Sequence, residues 1–570
     1  MLVNKFALFI AVNALLIFAP GVGLAQGQPV PDASQTLGQS LGQTPGADPI
    51  KAEQVSPDDV EPAGAPLAAA TPEPAQQGEP GSDAIARGLD VGAIAIFGLQ
   101  TMTPGDFAAV IAPCIGKRMD ADDLSELTNS IAKRAQAAGL PFATAQITPQ
   151  RLRSGVIAVE VDEGIIDEVR LEGADHAGVR AALAPLVSGK PVRIQELERR
   201  LLLAADIDGV RITGRRYMRE NGRGILIVTV SRNRFAVRAT LTNEGTRVVG
   251  REQLTLVADI NGVLASDDSV SFTWSGTPAQ PGELQFGRVR YEKRVSRSGT
   301  EVIVTGAMAL TRPGAYLAPL EIRSRSWQAG LSVLQPLVRR RSRSLWFQAD
   351  FNLRNLHQTL RGALSRDERI VTTRGSLFGY TALLGGRLRG NVSVTQGLRI
   401  LSASMPDNPF ASRLDSDGTF TTLGFSGDWT GAVAGPVSLR MAMQGQLASQ
   451  ALPVSEELGL GGTNFLRGYD WFERSGDEGI MGLAELRYGL NKPFAAVRRA
   501  EFYGFLDGGT LSNRDSGTGG GTLASGGGGI RVDFVRSVSA GLEVAVPLTG
   551  ERYDTGDRRS RVNFRVNMSF

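Results

Sequence analysis

The sequence has 570 residues, a formal net charge of +3, one cysteine and two histidines. This length allows several domains, and a charge so near neutral gives no reason to expect a nucleic-acid partner. Because Cys114 is alone and only His176 and His357 accompany it, we exclude an intramolecular disulfide and predict no zinc, other metal or cofactor.

Residues 1–25 have the pattern of a cleaved secretory signal peptide. Lys5 precedes an apolar run from Phe6 to Ala19, and small residues lead to Ala25, where cleavage is expected. The alternative is an uncleaved anchor helix, but the run is shorter than the ~20 residues that span a bilayer. No later segment is a helical span, so a membrane-integral chain must form a closed β-barrel.

Residues 26–88 are rich in Pro, Ala, Gly and Gln and nearly lack aromatic residues. Such a composition buries too little apolar area to offset the entropy of ordering, so we predict a disordered leader. We find no convincing amphipathic helix within it.

Two small α+β modules follow, at residues 89–163 and 164–233. In the first, the patterns predict a strand, two helices and two strands, and in the second the same order recurs as an internal repeat. Asn221-Gly222 between the last two strands is typical of a tight hairpin turn. The predicted elements are Val91–Phe97, a helix from Thr103-Pro104, Asp120–Gly139, Phe142–Ile147, Val156–Val161, Ile165–Leu171, Asp175–Leu186, Arg193–Ala205, Val210–Glu220 and Ile225–Val230.

Residues 234–570 show strand alternation and no sustained helical period. Apolar residues from Leu345 to Leu353 alternate with polar ones from Gln348 to Arg354, and a face so polar does not suit a dry core. The last strand alternates from Val562 to the terminal Phe570. A soluble strand that happens to be last is the alternative interpretation of this terminus.

One stretch, Met441 to Gly509, organises the barrel region. Alternating strands lie on both sides of a glycine-rich loop, and Arg467 stands alone within that loop. The stretch resembles the outer-membrane transporters of two-partner secretion, the haemolysin secretion/activation (ShlB/FhaC/HecB, TpsB-type) family. The resemblance is carried by Gln446, Leu452-Pro453, Glu456-Glu457, Gly461-Gly462, Leu466-Arg467-Gly468-Tyr469, Gly476-Asp477, Gly479, Glu485-Leu486 and, further on, Phe505-Leu506-Asp507-Gly508-Gly509.

A second motif supports the same family. Pro149-Gln150-Arg151-Leu152, Ser154-Gly155-Val156 and Glu163-Gly164-Ile165-Ile166 resemble the segment that closes the first POTRA domain of these transporters. The resemblance implies two periplasmic α+β POTRA domains followed by a transmembrane antiparallel β-barrel of about 16 strands. Dividing the 336 residues from Phe235 to Phe570 by 16 gives about 21 residues for each strand and its connection, which suits membrane strands of ~9–11 residues.

The resemblance also implies a function, a location and partners. The protein would sit in the outer membrane of a Gram-negative bacterium, surrounded by lipid, and would secrete one unfolded exoprotein that carries an N-terminal secretion domain. A terminal Phe570 resembles the signal by which the BAM machinery assembles such barrels. Family members often carry an N-terminal plug helix, which the leader of this chain does not show.

The family's loop motif gives the candidate site. The resemblance implies that the tetrad Leu466, Arg467, Gly468 and Tyr469 caps a loop folded into the barrel, opposite the strand of Phe505, Asp507 and Gly509. The tetrad usually begins with valine in this family, so Leu466 is a conservative departure. We hypothesise that the Arg467 guanidinium forms a bidentate pair with Asp507. Gly461, Gly462 and Gly468 would let the backbone turn and approach the wall. Whether the pair locks the loop during export or only stabilises the barrel stays open.

For the POTRA domains we hypothesise that an extended client segment adds to their sheet edges, with a spacer role as the alternative.

Gly517–Gly529 is predicted to be a flexible turn and Arg339–Arg343 a barrel turn or rim. No paired acid and base or nucleophile is visible, so we predict no enzyme. A passive porin would not need two modules, and a barrel insertase, the alternative transporter-like function, would have more. The client, the oligomeric state and the loop's motion are not given by the sequence.

Overall fold

The structure is a computed structural model that describes residues 89–148, 155–406, 408–515, 519–535 and 537–570. The predicted signal peptide, the predicted leader and the Pro149-Gln150-Arg151-Leu152 motif lie outside these residues. The predicted α+β modules followed by a closed antiparallel barrel of 16 strands are confirmed.

The first module is a three-stranded sheet covered by helices. Its sheet has the order β2 (Ala93–Phe97), β5 (Val156–Asp162) and β4 (Thr144–Ile147), with β2 parallel to β5. Helix α2 begins after Asp120, whose side chain accepts from the Asp123 N–H at 2.9 Å, and ends before Gly139, where φ is 97°. The elements are β1 (Leu89–Asp90), β2 (Ala93–Phe97), α1 (Ala108–Ile111), β3 (Arg118–Met119), α2 (Ala121–Ala137), β4 (Thr144–Ile147) and β5 (Val156–Asp162).

The second module repeats this plan with sheet order β6-β8-β7. The predicted hairpin turn has φ of 52° at Asn221 and 77° at Gly222, as a type I′ turn requires. Its elements are β6 (Glu168–Gly173), α3 (Ala177–Leu183), α4 (Ile194–Ala205), β7 (Val210–Glu220) and β8 (Arg223–Arg232).

An aromatic stack joins the two modules. Phe142 of the first module packs on Tyr217 of the second with ring centroids 4.3 Å apart. The Tyr217 hydroxyl donates to the Ile165 carbonyl at 3.0 Å. Burial raises the pKa of Tyr217 to about 12, so the hydroxyl keeps its proton for this hydrogen bond.

The barrel begins at β9 and closes where β26 pairs with β9. Each strand pairs with the next along the chain except at the long loop between β19 and β22, which contains the short hairpin β20–β21. The strands are β9 (Phe235–Thr242), β10 (Gln253–Asn261), β11 (Asp268–Gly276), β12 (Leu284–Arg294), β13 (Glu301–Thr311), β14 (Arg323–Arg339), β15 (Arg343–Leu360), β16 (Ala363–Leu383), β17 (Gly386–Gly397), β18 (Thr421–Ala434), β19 (Val437–Ala448), β20 (Leu458–Leu460), β21 (Arg474–Gly476), β22 (Glu478–Phe494), β23 (Val497–Ser512), β24 (Gly521–Phe534), β25 (Val538–Pro547) and β26 (Arg561–Ser569).

The two faces of the wall differ as the alternation predicts. Outward positions carry exposed apolar side chains such as Leu486, Leu506 and Leu542, while the inward neighbours Glu485 and Asp507 are buried. Apolar outer and polar inner positions of this kind are typical of transmembrane barrels. Among the described residues, the structure contains no helix with the length and apolar character needed to span a bilayer.

The basic run from Arg339 to Arg343 connects β14 to β15 and binds the second module. The Arg339 guanidinium holds both carboxylate oxygens of Asp206, at 2.5 and 2.7 Å, and the Arg341 N–H donates to Glu198 at 2.8 Å. Helix α4 is therefore fastened to this turn. The second module therefore lies at the end of the barrel where β14 and β15 connect.

The prediction of a flexible turn at Gly517–Gly529 is wrong for Gly521–Gly529, which belong to β24. The glycines are there because aromatic rings of β23 lie over them inside the barrel. A Cβ on Gly527 would come within 2.9 Å of the Phe505 ring, and one on Gly529 within 2.6 Å of the Tyr503 hydroxyl. The carbonyls of Val544 and Leu542 on the next strand would lie closer still, at 2.1 and 2.4 Å. The missing side chains thus make room for the rings and for this backbone, which is a packing role and not a hinge.

Candidate functional site

The loop from Ser449 to Asp477 folds back against the inner face of the barrel wall. Gly461 and Gly462 have φ of 105° and 117°, a region that other residues rarely adopt. A Cβ on Gly461 would meet the Asp470 carbonyl at 2.0 Å. The two glycines therefore set the turn that carries the tetrad Leu466–Tyr469 to the wall, where Leu466 and Tyr469 are fully buried.

Arg467 lies at the centre of the site with 3 % of its side chain exposed. One guanidinium nitrogen donates to Glu485 at 2.7 Å and the other to Glu543 at 2.8 Å. Glu485 projects from β22 and Glu543 from β25, so the arginine bridges strands that are not neighbours. The side chain thus ties the loop to two separate parts of the wall.

The predicted bidentate pair between Arg467 and Asp507 is wrong. Asp507 accepts from the Arg467 backbone N–H at 3.3 Å, and its other oxygen binds the Ser525 hydroxyl. Because the aspartate lies directly under the loop backbone, short donors occupy its oxygens and the long guanidinium reaches past it. Asp507 therefore binds the backbone of the tetrad, and the two glutamates form ion pairs with the Arg467 guanidinium.

Further arginines complete a balanced charge cluster. Glu485 also accepts from Arg487 at 2.7 Å and from Arg531 at 3.0 Å, while Arg531 reaches Glu501 at 3.1 Å. Buried carboxylates are costly unless they are paired and hydrogen-bonded, and here each has a cationic or hydroxyl donor. Arg467 therefore supplies one of the positive charges that balance the cluster inside the barrel.

Aromatic rings form the floor beneath the arginine. The Arg467 guanidinium carbon lies 4.1 Å from the Phe505 ring centroid, and that of Arg531 lies 3.8 Å from the Tyr503 centroid. Cations are attracted to ring faces, most strongly where water is excluded. Phe505 of the predicted strand motif therefore acts by stacking. Gly509 is packed tightly, since a Cβ there would lie 2.7 Å from the Leu460 side chain of the loop.

The rest of the tetrad fixes the loop sterically. A Cβ on Gly468 would lie 2.8 Å from the backbone of Val546 and Pro547. The Gly468 N–H donates to Ser525 at 3.1 Å, and the Tyr469 hydroxyl donates to the Thr549 carbonyl at 2.6 Å. The loop backbone therefore lies in van der Waals contact with β24 and β25.

Sequence reasoning missed several residues of this site and its surroundings, among them Glu543 and Arg413. Glu543 alternates with apolar residues in β25 and looks like any other inward position. Arg413, in the loop between β17 and β18, donates to Asp477 at 2.8 Å, to Glu457 at 3.2 Å and to the Arg514 carbonyl at 2.7 Å. Asp477 is fully buried and also accepts from the Leu452 N–H at 2.8 Å. Arg413 thus fastens three outer loops together.

We expect Arg413→Ala to loosen these loops without unfolding the barrel. Removing the arginine leaves Asp477 and Glu457 buried without their main cation, which costs roughly 3–5 kcal/mol for a buried pair. Proteolysis of intact cells should then cut the loop segment 398–420 at least ~10-fold faster. Arg399→Ala, which removes a half-exposed pair with Asp417 in the same loop, is the matched control. Equal cleavage of both variants would show that Arg413 does not hold the loops.

Comparison with known proteins places the chain among related sequences. The sequence profile of the family described as haemolysin secretion/activation protein ShlB/FhaC/HecB matches residues 222–532, and that of the ShlB-type POTRA domain matches residues 89–164. The chain is 21 % identical over 404 residues to the heme/hemopexin transporter protein HuxB of Haemophilus influenzae, covering 69 % of this chain and 70 % of that protein.

Solved structures share the fold. CdiB from Escherichia coli superposes with a TM-score of 0.66 at 20 % identity, covering 86 % of this chain and 92 % of that one. CdiB from Acinetobacter baumannii gives 0.61 at 14 % identity, covering 96 % and 100 %. BamA from Haemophilus ducreyi, lacking POTRA domains 1–3, gives 0.52 at 13 % identity, covering 84 % and 100 %.

Proposed function

The chain belongs to the haemolysin secretion/activation (ShlB/FhaC/HecB) family, the outer-membrane transporters of two-partner secretion, and from that premise we propose how its parts export an exoprotein. The expected family, fold, function and outer-membrane location are confirmed. We propose in addition the boundaries 1–25 for a signal peptide, 26–88 for a leader, 89–163 and 164–233 for the POTRA domains and 234–570 for the barrel. We also propose that export involves no catalytic step.

The loop of Leu466–Tyr469 is proposed to act as a lock inside the barrel. The single observation that carries this proposal is the Arg467 guanidinium between Glu485 and Glu543, two carboxylates on strands that are not neighbours. Because one side chain holds both, its release would break the charge contacts of the loop with both parts of the wall at once. The backbone contacts to Asp507 and Ser525 would then open to make space for a client chain. Asp507, Phe505 and Gly468 would seat the loop again once the client has passed.

The first POTRA domain is proposed to bind the client at the free edge of β2. In its sheet, β2 pairs only with β5, so its other side is open among the described residues. The Ala93 N–H donates to Gly155 on the paired side, and successive N–H groups of a strand point to opposite sides. The Ile94 N–H therefore faces the open edge. Phe97, which is 57 % exposed, offers an apolar contact at the end of that edge.

We expect Ile94→Pro to weaken client binding by ~10-fold or more, because an added strand would lose a backbone hydrogen bond and meet the proline ring. The measurement is the affinity of the full-length protein, in nanodiscs, for the purified N-terminal domain of its exoprotein. Ile94→Ala is the matched control, since it loses the same side chain but keeps the N–H. If both variants bind equally, the client does not add to β2, and the spacer role of the domain gains support.

Two further partners are proposed for the barrel itself. The terminal strand β26 ends at an exposed Phe570, whose N–H donates to the Val237 carbonyl of β9 at 2.9 Å. We propose that this strand is the segment that the BAM machinery engages before the barrel closes. The exposed apolar outer face is proposed to contact outer-membrane lipid.

A further inference from the structure

The lipid-facing wall has an apolar groove across strands β11–β14. Its volume is about 870 Å³, and Gly287 and Gly306 lie on its floor. A Cβ at either glycine would meet no heavy atom within 4 Å, so the missing side chains leave open space and not a tight contact. Glycine inside a strand weakens the strand unless something packs against it. These two therefore mark a place where another molecule can approach the wall closely.

Bulky apolar side chains flank the floor. The strand register places Trp274, Gly287, Met308 and Trp327 in one row across the four strands. Phe272 borders the same groove one row towards the periplasm. Trp274, Phe272 and Met308 are each more than one-third exposed. A depression with glycine below and aromatic rings beside it fits a hydrocarbon chain that lies along the wall.

Three arginines lie on the same outward face, next to the end of the groove that is farther from the modules. Arg325 is two residues from Trp327 in β14, and Arg323 is two residues further. Leu310 pairs with Arg325, so the continued register places Arg312 opposite Arg323. All three are exposed, and within the described residues none forms an ion pair. Like charges opposite one another across strands are destabilising, so an anion placed between them would stabilise the wall.

Two carboxylates lie near this positive group, and among the described residues neither forms an ion pair with it. Glu283 lies opposite Arg312 in the continued register, and its carboxylate is directed towards Gly314. His357 pairs with Arg325 across β14 and β15, and Asp367 lies 3.9 Å from His357. The Asp367 side chain is about half exposed. It lies on β16 opposite His357 of β15, and is therefore nearer to His357 than to Arg312 or Arg323. The connection between β13 and β14 is at the end opposite to the modules, so the arginines lie at the level of the outer leaflet.

We propose that this face is a binding site for a phosphorylated lipid of the outer leaflet. Its phosphate groups would be held by Arg312, Arg323 and Arg325, and one acyl chain would fill the groove above Gly287 and Gly306. Arginine forks match phosphate oxygens, and the aromatic residues Trp274 and Trp327 suit the boundary between headgroup and hydrocarbon. The site is independent of the lumen loop and of export.

The test is native mass spectrometry of the delipidated full-length protein titrated with diphosphoryl lipid A. Dephosphorylated lipid A and inorganic pyrophosphate are titrated in parallel. We expect Arg323→Gln with Arg325→Gln to weaken lipid A binding ~10-fold or more, since charge-assisted hydrogen bonds to phosphate are lost. Gly287→Leu with Gly306→Leu should weaken it comparably by filling the groove. Heat-modifiable migration on gels verifies that each variant barrel is folded.

Two variants elsewhere on the lipid face serve as controls. Arg343→Gln removes an exposed arginine at the periplasmic end of β15, and Gly390→Leu fills an exposed glycine position on β17. Both should bind lipid A as the wild type does.

Several results would overturn the proposal. Equal binding of dephosphorylated lipid A would show that the arginines do not contribute to lipid binding. Pyrophosphate binding with the same arginine dependence, unaffected by filling the groove, would indicate an anion site without a lipid. Dimers of the wild type that disappear in the glycine double variant would assign the groove to a second copy of the chain.

Discussion

Arg467→Ala is expected to reduce secretion of the partner exoprotein to background, because a loop that cannot be seated again on the wall cannot complete an export cycle. The substitution leaves Glu543 with only Tyr503 and a long contact to Asn563, while Glu485 keeps Arg487 and Arg531. A largely buried carboxylate that loses its cation costs roughly 3–5 kcal/mol, which corresponds to a ~10²- to 4 × 10³-fold smaller population of molecules with the loop seated. The measurement is the exoprotein in the medium, normalised to the amount of folded transporter in the outer membrane.

Two companion variants separate charge from geometry at this position. Arg467→Lys keeps the charge, but one ammonium cannot hold both glutamates in the same way, so we expect secretion between that of Ala and wild type. Arg499→Ala removes an exposed partner of Glu501 and should change little. Wild-type secretion by Arg467→Lys would refute the need for a guanidinium. An Arg467→Ala barrel that fails to fold would assign the residue to stability and not to a lock.

Gly468→Ala should also abolish most secretion, through sterics alone. The added methyl would lie within 2.8–2.9 Å of Val546, Pro547 and Ser525, and two of these contacts are to backbone that cannot rotate away. Overpacking of this kind typically costs ~1–3 kcal/mol, so the loop should leave the wall in a substantial fraction of molecules. Limited proteolysis of purified protein should then cut near Gly468, where the wild type is protected.

Gly482→Ala in β22 provides the comparison for this variant. Its new methyl would meet only the Ala442 carbonyl, at the ordinary distance of 3.6 Å. The same glycine-to-alanine change at this position should therefore leave secretion and protease resistance unchanged. If Gly468→Ala behaves like Gly482→Ala, the loop is not seated as closely as described and the steric argument is wrong.

The fold was predictable because its signals are local. Strand alternation, the helix stripe of Leu124, Leu127 and Ile131, and the Asn221-Gly222 turn each depend on residues within one element. Element ends moved by a few residues: β6 begins at Glu168 instead of Ile165, because Ile165 and the fully buried Ile166 pack at the junction between the modules. The glycine run of β24 misled the prediction because its reason, two rings on the adjacent strand, lies some 25 residues away.

The candidate site was predictable only in part, because its charge pairs also join residues that lie far apart in the sequence. The tetrad and Asp507 follow from family resemblance, and the structure does bring them together. The charge partners of Arg467 depend on how far around the wall its side chain reaches, and no spacing in the sequence encodes that reach. Glu485 was visible as an inward glutamate, but nothing marked it as the partner, and Arg413 and Glu543 carried no local signal at all.

The most direct test of the account is export of the partner exoprotein from cells that do or do not produce this transporter. Cells that produce the exoprotein with or without the transporter would be fractionated, and porin assembly in the outer membrane would be measured in the same samples. The account predicts exoprotein outside the cell only when the transporter is present, with porin levels unchanged. Exoprotein that stays in the periplasm while porin assembly depends on this chain would contradict it and favour a barrel insertase.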